Sequence, residues 1–153
     1  MAEQSALQEF AEAGGEELGR LLLRAARAVN DEVIERLTSL GHPEIRPSHT
    51  AVFTNLDPSG TRAVTIAQRA GMARQAMSTL IRELEDASYV VVEADPQDGR
   101  AFLVRLTALG ERFCHEAAVV IRQIEAEWAE GLGDPGLRLL RDSLHALAKK
   151  PSV

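Results

Sequence analysis

The chain has 153 residues, of which 45% are hydrophobic and 26% charged, with aromatics at 4% and a formal net charge of -6. That balance suits one soluble globular core. No apolar run is long enough to cross a bilayer, and the acidic start MAEQSALQEFAEAGGEE lacks a signal peptide's basic and apolar regions, which points to the cytoplasm. Cys114 is the only cysteine, and His42, His49, His115 and His145 show no HExxH-like spacing. A disulfide framework, a cysteine-based zinc site and other metal chemistry are therefore set aside, and no cofactor is expected.

From about Glu16 to Leu40, apolar residues from Leu18 through Leu22, Val29, Val33 and Leu37 recur at spacings of three and four. This predicts a long amphipathic helix ended by Gly41 and Pro43. RPSHTAVFTNLD puts Pro47 at the start of a short second helix, with Val52, Phe53 and Leu56 turned to a core, before the turn DPSGT. TIAQRAG predicts a helix of about two turns that opens on a capping box of Thr65 and Gln68 and stops at Gly71. In MARQAMSTLIRELEDASY, Met72, Ala76, Met77, Leu80, Ile81 and Leu84 form an inward face and leave Arg74, Gln75, Ser78, Thr79 and Arg82 outside.

YVVVEA and AFLVRLT are β-branched, apolar runs on either side of DPQDGR. They predict a hairpin in which Gly99 supplies backbone freedom near the tip and Phe102, Val104 and Leu106 share a face. Thr107 caps the next helix, whose stripe from Leu109 and Phe113 to Trp128 runs to about Leu132. GDPG then breaks the chain, and Asp134 and Pro135 open a last helix with Leu137, Leu140, Leu144 and Leu147 in a row. The net acidity lies outside residues 61–106, where six arginines face six acids, so this neutral, relatively arginine-rich stretch is the part of the chain suited to an anion.

A short helix, a glycine turn, a second helix with a polar outer face and then a hairpin form the layout of a winged helix–turn–helix. The expected fold is mainly α with a small β-hairpin wing. Residues 47–106 form the winged helix–turn–helix, and 16–41 and 107–148 are dimerisation helices of a single chain spanning 1–153. The apolar stripes of the first and last helices exceed what a small winged domain can cover, hence an obligate homodimer.

Two stretches carry a resemblance to the MarR family of bacterial transcriptional regulators. DPQDGRAFLVRLTALG resembles the family's wing signature of Asp, two residues, Asp, one residue and Arg, then a strand ending in Leu-Thr with a Gly three residues on. TIAQRAGMARQAMSTLIRELEDASYV is similar to the family's helix–turn–helix in order and spacing. The resemblance, from about Leu18 to Leu147, implies a homodimer on pseudo-palindromic double-stranded DNA, a repressor released by a small apolar or aromatic ligand. By matching position, Arg74, Gln75, Ser78, Thr79 and Arg82 fall on the recognition helix, and Arg100 falls on the wing tip beside Asp98, its expected ion-pair partner. The sequence departs from the family at Ala73, where a capping Thr or Ser is common and roughly 1 kcal/mol of local stability is forgone, and at Ser88, Glu93 and Gln97, which replace a glycine and two basic residues. Fewer basic residues imply fewer phosphate contacts.

Arg74 and Gln75, in the first turn of that helix, suit guanine and adenine edges respectively. Arg82, a turn farther on, suits a phosphate, or else pairs with Asp86 four residues away. Ser78 and Thr79 are either contacts or small packing residues. Cys114 reads as a buried structural thiol rather than an oxidation sensor. His42 and His49 flank the hinge between arm and winged domain, either as lining of a ligand pocket or as plain turn residues. No phosphate loop, nucleophile elbow or metal cluster suggests an enzyme. The alternative function is a winged-helix dimer of weak DNA affinity that acts as a protein-interaction or ligand-binding module.

Overall fold

The computed structural model describes residues 6–8 and 17–148. Helix α1, Leu18–Ser39, ends where Gly41 takes a positive φ of 99°. The His42 N–H donates to the Leu37 carbonyl and the Gly41 N–H to the Thr38 carbonyl, both at 3.1 Å. This paired ending needs a left-handed residue, which glycine adopts at no steric cost, and it turns His42 into the core. The short second helix is a 3₁₀ turn, Pro47–His49, running directly into α2, Thr50–Phe53.

Helix α3, Ala63–Arg69, and helix α4, Arg74–Asp86, make the helix–turn–helix. The same paired ending joins them at Gly71, with the Met72 N–H on the Ala67 carbonyl at 2.9 Å. The expected capping box at Thr65 and Gln68 is not formed. Arg62 is the N-cap, with extended backbone and a carbonyl that accepts the N–H of Thr65 and of Ile66, so Thr65 already lies inside the first turn. Met77, Leu80, Ile81 and Leu84 face the core as expected, whereas Ala76 is exposed.

A third ending of this kind closes α4 at Ser88, a non-glycine residue at φ 65°, and delivers Tyr89 to the core. Strands β1, Val90–Asp95, and β2, Asp98–Leu106, pair antiparallel with an irregularity at Ala94 and Asp95. Gly99 is not in the positive-φ region, so its expected special role is absent. The tip is shaped instead by aspartates, whose carboxylates accept the N–H of Gln97 and Arg100. Val104 is buried and Leu106 half-buried, but Phe102 on the same face is 61% exposed, at an open groove that it borders together with Ser78 and Arg82 of α4.

Helix α5, Ala108–Ala148, is broken at Gly133 (φ 69°, ψ 157°), within the predicted GDPG break. Its start explains the Leu-Thr and Gly of the wing signature. The Thr107 hydroxyl caps the helix by accepting the Gly110 N–H at 3.1 Å, and it lies 2.6 Å from the Ser88 carbonyl, to which it donates. A Cβ on Gly110 would stand 2.1 Å from the Tyr89 carbonyl oxygen, so only glycine lets α5 approach the base of the hairpin this closely. One core unites these elements around Leu37, Val52, Ile66, Met77, Leu84 and Tyr89. The fold is thus mainly helical with a two-stranded wing, and no helix among the described residues is long and apolar enough to cross a membrane.

Candidate nucleic-acid interface

The outer face of α4 carries Arg74, Gln75, Ser78, Thr79 and Arg82, all exposed. The hydroxyls of Ser78 and Thr79 donate back to the carbonyls of Arg74 and Gln75 at 2.9 and 3.1 Å. Their hydrogens are therefore engaged, and what they offer outward is an acceptor oxygen, suited to an amino group on a base edge rather than to a phosphate. Arg82 does not form the alternative pair with Asp86: no ion pair to Arg82 occurs among the described residues. Ala73 caps α4 with extended backbone and without a side-chain bond.

Charge pairing separates the arginines of the central stretch into two groups. Arg62 reaches Asp95 and Asp98, Arg69 reaches Asp57 at 2.9 Å, and Arg105 lies 3.7 Å from Glu93. Among the described residues Arg74, Arg82 and Arg100 have no carboxylate partner. These three arginines lie on α4 and the wing, where their charge is left for a partner, although the exposed Glu85 borders the same groove as Arg82.

The wing differs from expectation in one pairing. Asp98 does not hold the Arg100 guanidinium; its Oδ1 accepts the Arg100 backbone N–H at 3.2 Å while its Oδ2 takes Arg62 at 3.2 Å. Arg62 also donates to Asp95 Oδ2 from Nη2 at 2.8 Å and Nε at 3.3 Å. The Arg62 guanidinium, and then the Gln97 amide, hold the Asp95 carboxyl below the usual carboxylate range. Arg62 was absent from the residues singled out in the sequence, because its partners lie 33 and 36 positions away and no local spacing marks them.

His42 and His49 are both buried and fully occupied. His42 Nε2 is 2.7 Å from the Glu116 carboxylate, which can only accept, so in the neutral ring Nδ1 accepts the Tyr89 hydroxyl at 2.8 Å. Burial pushes the Tyr89 phenol up, keeping that donor proton in place. His49 Nδ1 accepts the Arg46 N–H at 3.2 Å and Nε2 donates to Glu83 at 3.0 Å. His49 first, then Arg46, hold the Glu83 carboxyl below its ordinary range. Both histidines join elements. His42 ties the end of α1 to α5 and to the end of α4, and His49 ties α2 to α4.

A cavity lies beside them, about 230 Å³ between α1, α2 and α5, walled by Val33, Ile34, Phe53, Phe113, Cys114 and Ile121 among others. Its lining is almost wholly apolar, and its volume suits a single-ring molecule. Phe113 also stands 5.2 Å from His42 and 5.7 Å from Tyr89, centroid to centroid, so one wall touches the His42 joint. Burial pushes the Cys114 thiol up, which disfavours the reactive thiolate.

With this geometry in view, the likeness to known proteins is informative. The MarR family profile matches residues 45–101. The HTH-type transcriptional repressor Rv2887 of Mycobacterium tuberculosis is 31% identical over 130 residues, 85% of this chain and 92% of that one. The structure of that protein in complex with salicylic acid superposes with a TM-score of 0.62 over 89% of this chain and 99% of that one. CouR from Rhodococcus jostii RHA1, bound to p-coumaroyl-CoA, is 26% identical with a TM-score of 0.69, over 90% and 96% of the two chains. A mutant MarR from Escherichia coli complexed with operator DNA shares the fold at a TM-score of 0.73 and 18% identity, over 91% and 97%. A full-length relative at this identity, the family profile over the winged region and a wing built on Thr107 and Gly110 lead to one conclusion: the chain belongs to the MarR family of transcriptional regulators.

Proposed function

We propose that the chain is a homodimeric repressor of pseudo-palindromic operators, with α4 in the major groove and the β1–β2 wing in the adjacent minor groove. The observation that carries the proposal is the set of unpaired cations, Arg74 and Arg82 on α4 and Arg100 on the wing, on a surface where the other central arginines are neutralised. Arg74 and Gln75 read base edges, Ser78 and Thr79 accept from base amino groups, Arg82 takes a phosphate and Arg100 enters the minor groove. The role is binding rather than catalysis, exercised in the cytoplasm where the operator is. Residues 16–41 and 107–148 supply the dimer contact. In support, Leu23 of α1 and Leu147 of the last helix are each 61% exposed and border one apolar groove with Trp128.

The cavity behind Phe53 and Phe113 takes a small aromatic ligand that lowers DNA affinity. Salicylic acid and the coumaroyl group, bound by two relatives, each contain one aromatic ring. By linkage, ligand and DNA weaken one another equally. A titration of the DNA upstream of the chain's own gene at several salt concentrations tests the main claim, since neutralising phosphates gives a linear fall of log affinity with log salt. Absent or salt-independent binding contradicts it and favours a protein-interaction module, a reading to which the uncapped Ala73 and the exposed Phe102 would then belong.

A further inference from the structure

Residues Thr61 and Arg62 act on the hairpin at two levels. Thr61 pairs with Val104 through reciprocal backbone bonds of 3.0 and 2.9 Å, which fixes the base of the wing to the start of α3. Arg62, the next residue, reaches outward to the tip, where its guanidinium holds Asp95 and Asp98 together. Each of these carboxylates uses its other oxygen on the tip backbone: Asp95 Oδ1 accepts the Gln97 N–H at 2.9 Å, and Asp98 Oδ1 accepts the Arg100 N–H at 3.2 Å. A continuous chain of charge-assisted bonds thus runs from the helix–turn–helix to the backbone of Arg100.

We infer that Arg62 is a positioning residue for DNA recognition: it clamps the wing to the helix–turn–helix and so sets where Arg100 points. The inference rests on the proposal that the wing reads the minor groove, and Arg62 itself touches no base. Two consequences follow from the geometry. Without the clamp the tip loses the anchor of both carboxylates, and Arg100 must be ordered at the moment of docking. The two acids beside Arg100 would also face the phosphates uncompensated, because the bridging guanidinium is the cation that neutralises them. Nη2 alone reaches both carboxylates, and Nε adds a second bond to Asp95 Oδ2 that fixes the direction of the guanidinium; a lysine keeps the charge but has no second nitrogen to make that bond.

The test uses the full-length dimer and two substitutions, Arg62→Ala and Arg62→Lys. The Arg62 side chain is 45% exposed, so neither variant opens the core. Amide hydrogen exchange is read first. In Arg62→Ala the Gln97 and Arg100 amides exchange about tenfold faster while Val92 and Val104 keep parental rates. Affinity is then compared on operators whose outer flanks are A·T-rich or G·C-rich. The parent prefers A·T flanks, and Arg62→Ala loses about fivefold or more of that preference. Arg62→Lys recovers overall affinity but not the preference, and Asp95→Asn combined with Asp98→Asn loses the preference even though the wing becomes less acidic. Unchanged exchange at Gln97 and Arg100 overturns the clamp. Faster exchange with an intact flank preference, or full recovery of that preference by lysine, overturns the positioning role. If the parent binds no operator, the DNA reading fails by itself, and the exchange rates still decide whether the clamp exists.

Discussion

Arg100 and Arg105 lie on one strand and have different fates. Arg105 comes within 3.7 Å of Glu93, while Arg100 has no carboxylate partner among the described residues and engages the protein through its backbone N–H. Replacing Arg100 by Ala therefore removes little from the fold. It is expected to weaken operator binding by about 1–3 kcal/mol with the melting temperature unchanged, and most on A·T-rich flanks. Titrations at matched salt check this, and parental affinity would reduce the hairpin to a structural element. Asp98 shows where the sequence falls short at this scale. The spacing of Asp98 and Arg100 suggests a pair, but the carboxylate goes to Arg62, because a β-hairpin folded back on α3 brings a distant guanidinium closer than the neighbouring one. At Ser88 the departure from glycine was legible and its consequence is structural: a φ of 65° strains a residue with a Cβ. Ser88→Gly should raise stability by about 0.5–1 kcal/mol in urea unfolding; a loss of stability would mean that the Ser88 side chain compensates for the strain.

Three helix endings, at Gly41, Gly71 and Ser88, send His42, Met72 and Tyr89 inward, and the elements are arranged around them. Gly41 and Gly71 mark their endings in the sequence, because glycine ends a helical pattern by its own stereochemistry. The inward stripe of α4, apart from the exposed Ala76, and the cap at Thr107 were equally legible, since both depend on residues within a turn or two. The start of α3 was not. Thr65 and Gln68 have the spacing of a capping box, yet the chain is already helical at Ala63, with the extended Arg62 as its N-cap. Gly110 combines both kinds of information, for its place in the motif is local while its reason is the Tyr89 carbonyl of another element. Gly110→Ala should force α5 away from the hairpin base and cost about 1–3 kcal/mol, read by denaturant unfolding. Unchanged stability would show that the two backbones separate freely.

At the scale of the whole molecule, apolar side chains near both chain ends remain uncovered: Leu18 and Leu147 are each 61% exposed and Leu139 is 69% exposed. A second copy that covers them makes the folded state depend on concentration. Sedimentation is expected to show a dimer at micromolar concentration, and a stable folded monomer there would remove the claim. The His42 joint links the arm to the recognition helix through Tyr89, and Phe113 joins that cluster to the cavity. Tyr89→Phe removes the hydroxyl bond to His42 while keeping the ring. It should leave ligand affinity near the parent value and reduce the loss of DNA affinity that a saturating aromatic ligand causes; an unchanged ligand effect would place the coupling elsewhere. This joint was not legible in the order of residues, because His42, Tyr89 and Glu116 come from three separate segments.

Two copies of this chain are proposed to read two half-sites with α4 in the major groove and the wing in the flanking minor groove. Footprinting of the operator complex checks this arrangement, with guanine N7 methylation reporting the major groove and hydroxyl radicals the minor groove. Two major-groove protections are expected about one helical turn, roughly 10 base pairs, apart, each flanked on its outer side by a minor-groove protection that disappears in Arg100→Ala. A single protected half-site, or protection without this periodicity, would contradict it.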